Sequence, residues 1–333
     1  MKFRIIPTVL AATSLTLSLA ACSGAPATDS GVGGEDLTTL KVGVMSINSN
    51  AALLLGDEKG FFEEEGLKIE TTAIANPPAG IAAAQSGQMD LTYATSIPLL
   101  NALSQSVPLK VIAPADGYPD DVLEMSNPAE VDDTGLFVAA DSDIDSPADL
   151  QGRTVAVPAR KAQLEVNIAS LIRNDGGDPS KVNWMVLDPA SALQTLQQGQ
   201  VDAAGLISPF MTQAKEAGAR LLASPGVQFF GGGVVGSWVA GHSTVDQKPE
   251  ALAAFKRAVE KANAYAQDHM DEAQQVASKL TSVELETVKA GPKSYWPTNV
   301  EIEDFQTVNE KLVELGYLPK EVPLDDSLIF TTK

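Results

Sequence analysis

A segment that occurs twice constrains this chain more than any single motif. Ser86-Gly87-Gln88-Met89-Asp90-Leu91 and Gln198-Gly199-Gln200-Val201-Asp202-Ala203 each close a helical stretch and open a short apolar strand. Each strand then ends in a Ser and a Pro, as Ser96-Ile97-Pro98 in one copy and Ser208-Pro209 in the other. Upstream of each copy the sequence reads as a strand (67–75; 182–187), a Gly-containing turn, a helix and an earlier strand (40–45; 153–158). The strands are short, rich in Val, Ile and Leu and not strictly alternating, which is the pattern of strands buried on both faces. Strand and helix in alternation predict right-handed crossovers and a parallel sheet covered by helices on both sides. Two copies are too few for a solenoid, which buries its core by stacking at least three. The fold class is therefore α/β, with two open lobes.

The remaining sequence divides into a mixed region (110–140) and a mainly helical block (249–315). In that block Ala251, Ala254, Phe255, Ala258, Val259 and Ala262 make one apolar stripe at helical spacing. A strand at 234–240 carries the chain from the second copy toward this block. The expected organisation is a first lobe from 37–139 and 233–333, a second lobe from 140–232, and a hinge and cleft between them.

The N-terminus reads as an address. Lys2 and Arg4 precede an apolar stretch (5–19) and small residues, as in a secretory signal peptide occupying 1–21. The stretch is interrupted by Pro7 and is short for a membrane span of ~20 residues. Leu19-Ala20-Ala21-Cys22 resembles the lipobox of bacterial lipoproteins, and Cys22 is the chain's one cysteine. Lipidation at Cys22 would leave 22–36, rich in Ser, Gly, Ala, Pro and Thr, as a flexible tether. This predicts an extracytoplasmic protein, lipid-anchored at the outer face of a bacterial cell membrane or periplasmic.

Composition removes several function classes. A formal net charge of −20 argues against a nucleic-acid partner, since phosphate binding needs clustered Lys and Arg. One cysteine cannot build an intramolecular disulfide, a Cys-based zinc site or an Fe–S cluster. Only His242 and His269 could act as imidazole bases, and no G-x-S-x-G elbow is present. Gly231 to Gly236 satisfies G-x-G-x-x-G, but a strand rather than a helix is expected after it, so a dinucleotide site is rejected. Asp116, Tyr118, Asp120 and Asp121, interspersed with Gly117 and Pro119, read as a solvated loop. No enzymatic activity, cofactor or metal is expected.

Three further stretches carry a resemblance. Glu58-Lys59-Gly60-Phe61-Phe62-Glu63-Glu64-Glu65-Gly66-Leu67, the repeated Gly-Gln-x-Asp, and Asp149-Leu150-Gln151-Gly152-Arg153-Thr154-Val155-Ala156-Val157 resemble the sulfonate, nitrate and thiamine-pyrimidine-precursor group of solute-binding proteins. Pro209-Phe210 and Trp238-Val239 fit the same pattern. The resemblance implies a type II periplasmic-binding-protein-like fold and a monomeric receptor. It would close over a small molecule and deliver it to the permease and ATPase subunit of an ABC importer. The ligand class it implies is a small organic anion, sulfonate-like or carboxylate; alternatives are a thiamine pyrimidine precursor or other neutral heterocycle, or a non-transport surface interaction protein.

In open α/β sheets ligands bind beyond the carboxyl ends of the strands, which selects the site candidates. After the first strand these are Ser46, Asn48, Ser49 and Asn50, the last two also suited to capping a helix. Asn76 follows the second strand, and Thr95 and Ser96 the third. In the second copy Arg160, Lys161 and Gln163 occupy the corresponding loop, with Arg160 the preferred partner for an anionic head. Ser208, Phe210 and Trp238 complete the set, the aromatics as surfaces for a ring or alkyl stem.

Overall fold

The two Gly-Gln-x-Asp segments play the same structural part. In the computed structural model, which describes residues 37–331, Gly87 and Gly199 have φ of 74° and 66° just past the ends of the helices Pro77–Gln85 and Pro189–Gln197. That left-handed turn favours glycine. The aspartate that follows pins the next strand to the first: Asp90 accepts from the Lys41 amide at 2.9 Å, and Asp202 from the Thr154 amide at 2.7 Å. The helices also start alike, capped by Asn76 onto the Ala79 amide and by Asp188 onto the Ser191 amide. The signal, Cys22 and the tether lie outside the described residues. Among the described residues no helix is long and apolar enough to cross a membrane.

Among the described residues ten strands form two five-stranded sheets. The first has the order β2-β1-β3-β10-β4, from β1 (Thr38–Val44), β2 (Leu67–Ala73), β3 (Leu91–Thr95), β4 (Leu109–Tyr118) and β10 (Gly233–Gly241). The second has the order β7-β6-β8-β5-β9, from β5 (Thr134–Val138), β6 (Thr154–Val157), β7 (Asn183–Val186), β8 (Ala203–Ile207) and β9 (Arg220–Ala223). The three strands of each copy pair in parallel, as expected. All-parallel sheets are not what forms, however: β10 runs antiparallel to β3 and β4, and β5 antiparallel to β8 and β9. The cause is the path of the chain. Near its start β10 pairs Gly236 with Thr95 at the end of β3, and β5 starts by pairing Thr134 with Ile207 at the end of β8. Each begins where the chain arrives from the other lobe, so it must run back along the sheet.

Two sequence expectations change with this topology. β5 is a strand of the second sheet, so the first crossing precedes Thr134 and does not lie between 139 and 140. Residues 116 and 118 belong to β4 and are buried, so of the supposed solvated loop only Asp120 and Asp121 are exposed. The chain returns to the first sheet between β9 and β10, where Gly231 and Gly233 have φ of 70° and 94°.

Both sheets are buried on two faces. In the second lobe Leu136 and Phe137, adjacent on β5, enter separate apolar clusters on opposite sides. In the first, the Pro249–Asp268 helix lays Phe255, Ala258 and Val259 against Val42, Tyr93 and Trp238. A further cluster lies between the lobes, where Ile97, Leu100, Val308 and Leu312 of the first meet Val166 and Phe229 of the second.

Candidate functional site

A cleft opens between the sheets, at the strand ends the topology brings face to face. Met45, Ile47, Pro77, Tyr93 and Thr95 line it from one lobe, and Pro158, Ala159, Ala162, Gln163, Leu164 and Ile207 from the other. Thr95 precedes the helix Ser96–Ser104 and Ala162 precedes the helix Gln163–Asn174, and neither helix has a side-chain cap. Two helix N-termini with free amides therefore meet across the cleft, each with the positive end of its dipole. The Thr95 and Ser96 hydroxyls are buried and without a hydrogen-bond partner.

Of the predicted site residues, Thr95 and Gln163 line the cleft, with Ser96 beside them. The others are placed elsewhere. Asn50 accepts from the Met45 amide at 2.8 Å, closing the loop after β1. Ser49 donates to Asp133 at 3.2 Å, and its carbonyl accepts from the Trp296 indole at 2.7 Å. Asn48 is buried beside Trp296, Ser46 is exposed, and Asn76 is spent as a helix cap. Arg160 donates to Glu165 at 2.6 Å rather than facing the cleft, and Lys161 is exposed. Ser208 is buried, its amide bonded to the Asp133 carbonyl, and Phe210 packs on the second-lobe core. Trp238 is 2% exposed between Tyr93 and Phe255, at ring distances of 6.0 and 6.2 Å. It is a core residue.

Arg160→Ala should therefore act on the fold, since it leaves the buried Glu165 carboxylate without its cation. The expected loss, discounted for the exposure of Arg160, is about 1–2 kcal/mol in denaturant unfolding. Affinity would change only through Glu165. A variant as stable as the parent that binds anions much more weakly would return Arg160 to the cleft.

Behind Tyr93 lies a group of buried acids that the sequence did not announce. Tyr93 donates to Asp116 at 3.3 Å, Ser49 to Asp133, and Tyr118 to both Asp132 and Asp133 at 3.1 Å. Asp132 is well supplied, accepting also from the Thr134 amide and hydroxyl and the Val227 amide. Burial pushes the Asp116 carboxyl up to about 6. Burial, reinforced by the charges of Asp116 and Asp132, pushes Asp133 up to about 8. None of the groups acting on these three acids is a cation.

Residues 48–273 match the family described as NMT1/THI5 like. The chain belongs to this family. A putative aliphatic sulfonates-binding protein of Bacillus subtilis is 21% identical to the NMT1/THI5-like chain over 280 residues, 81% of this chain and 78% of that one. The formylaminopyrimidine-binding protein of Halalkalibacterium halodurans is 28% identical over 55% of this chain and 50% of its own length. Among solved structures, the alkanesulfonate-binding protein SsuA of Xanthomonas axonopodis pv. citri superposes with a TM-score of 0.70 at 18% identity, covering 86% of this chain and 96% of that one. The desulfurization enzyme DSZB shares the fold at a TM-score of 0.60 and 17% identity, over 88% and 96% of the two chains. The architecture of the NMT1/THI5-like chain is thus that of periplasmic binding proteins, and the fold alone does not separate receptor from enzyme.

Proposed function

We propose that the chain is the extracytoplasmic substrate-binding lipoprotein of an ABC importer, and that it captures a small organic anion, sulfonate-like or carboxylate, between its lobes. The observation that carries the ligand class is the buried, unpartnered Thr95 hydroxyl at one of two uncapped helix N-termini that line the cleft. An anionic head takes its hydrogen bonds from that hydroxyl and from backbone amides, with no need of Arg160. The apolar stem lies against Met45, Ile47 and Ile207. Closure of the lobes then presents the ligand to the permease. Among the described residues, those lining the cleft include no Cys or His, which favours binding over covalent chemistry.

A second reading has its own observation. Among the described residues no Arg or Lys lines the cleft, and the Tyr93 ring with its acids behind it suits a neutral heterocycle such as a pyrimidine.

A thermal-shift screen of residues 37–333 against taurine, methanesulfonate, nitrate, benzoate and formylaminopyrimidine separates the two. A ligand at 100 times its Kd stabilises the fold by about 2.7 kcal/mol. Thr95→Val should leave the empty protein at least as stable, because it removes an unpaired buried hydroxyl, and should weaken the anion by about tenfold. A pyrimidine hit indifferent to Thr95→Val would decide for the heterocycle. No shift by any compound would sink the receptor reading as stated. The lipid anchor is tested separately, since Cys22→Ala should release the protein from the membrane fraction.

A further inference from the structure

Outside the cleft, one buried carboxylate joins the cleft wall to the opposite lobe. Glu165, its side chain 1% exposed, lies in the first turn of the helix Gln163–Asn174. From its own lobe it accepts from Arg160 Nε at 2.6 Å and from the Lys161 amide at 2.9 Å. From the first lobe it accepts from the Tyr317 hydroxyl at 3.1 Å. The loop so held, with the helix it opens, supplies Pro158, Ala159, Ala162 and Gln163 to the cleft.

The same loop is gripped a second time from the first lobe. Asn101 Nδ2 donates to the Lys161 carbonyl at 2.8 Å, and Lys161 sits at φ 55°, a left-handed conformation that a lysine adopts only under restraint. Farther along the helix, Arg173 Nη1 donates to the Glu314 carbonyl of the first lobe at 2.6 Å. Beneath these bonds Val166 enters the interlobe apolar cluster against which Tyr317 also packs.

We propose that Glu165 is a positioning residue: it clasps the cleft loop to Tyr317 of the opposite lobe, so that affinity for any ligand is set in part outside the cleft. This rests on the receptor reading above. The carboxylate touches no ligand. It holds the loop in its binding shape and favours the closed lobes, and a ligand that binds only the closed state gains affinity in proportion to that state's population.

Tyr317→Phe is the cleanest test, because it deletes one hydroxyl and keeps the ring in its apolar setting. Two quantities are measured on the full chain. In the ligand-free protein, hydrogen exchange of the peptide covering 158–166 should rise several-fold while that covering β8 stays unchanged. Affinities for those compounds of the same five-member panel that bind the parent should fall by a common factor of about ten, the equivalent of one hydrogen bond to a charged acceptor, with their ratios preserved. Glu165→Gln, which keeps an acceptor for Tyr317, should lose less than Glu165→Ala.

Unchanged exchange would overturn the clasp. Faster exchange with unchanged affinity would reduce Glu165 to a structural contact and overturn the proposal equally. Affinity lost for one ligand and kept for another would make the pair a ligand contact, against the proposal. If none of the five binds the parent, the receptor reading fails, while exchange still decides whether Glu165 ties the lobes.

Discussion

The melting temperature should fall as pH rises from 5 to 8.5, by roughly 5 °C or more. Asp116 and Asp133 have folded-state values of about 6 and about 8, against 3.8 for an unperturbed aspartate. Above pH 4 the unfolded chain releases protons that the folded chain keeps. Stability contributed by those protons is full below pH 4, declines through the window from 4 to 8, and is gone above it. At the acid end the sign reverses. Asp178 and Asp188 accept hydrogen bonds from Ser180 and Ser191, which hold them below the usual carboxylate range, so their contribution is lost as pH falls below about 4. The stability maximum is expected near pH 4–5, lower than the pH 5–8 common among proteins.

Asp133→Asn isolates the cause. The carboxamide oxygen still accepts from Ser49 or Tyr118, and no charge has to be buried. The slope of melting temperature between pH 5 and 8.5 should drop by well over half, and the variant should melt above the parent at pH 8.5. Asp132→Asn should instead lower the melting temperature. Asp132 accepts four hydrogen bonds within 3.1 Å, and an amide in its place turns an N–H₂ toward those donors. An unchanged slope in Asp133→Asn would show that the decline originates elsewhere. These two residues stand where the chain first enters the second lobe, immediately before β5.

The architecture was legible because its signals are local and repeated. A left-handed glycine and an aspartate that reaches the first strand are required by the backbone in each copy, and the sequence shows both. The antiparallel strands were not legible. β5 and β10 read as apolar runs like any other, and their direction depends on which lobe the chain is leaving, a property no window of residues encodes.

The site was legible by position more than by residue type. Thr95 and Gln163 stand where the rule of strand ends put them, but so do Met45, Pro158 and Ile207, whose apolar side chains carry no signal of a site. Conversely, Arg160 looked like an anion contact because its partner, Glu165, is one turn farther along and reads as an ordinary helix-surface acid. Asp116 and Asp133 were missed for a similar reason. Acids are seldom fully buried, and composition gives no sign that two tyrosines and a serine will enclose them.

Trp238→Ala should cost about 3–5 kcal/mol, the range for truncating a buried aromatic without collapse of the site. The site cannot readily collapse. Trp238 lies on β10, an inner strand of the first sheet between β3 and β4, with Tyr93 packed on one side and Phe255 on the other. The sequence suggested a surface for ligand stacking, and the two roles predict different data. A stacking residue at the cleft would lose affinity and keep stability. A core residue loses stability first, lowering the melting temperature by roughly 6–20 °C at about 2–4 °C per kcal/mol. Trp238→Phe sharpens the distinction. Phe keeps an aromatic ring against Phe255 and sacrifices less volume, so it should recover at least half of the lost stability, with affinity close to the parent's. If Trp238→Phe instead melts like the parent and binds much more weakly, the indole reaches the ligand. Tyr93, which touches Trp238 on one side and the cleft on the other, would then be the element that moves to admit it.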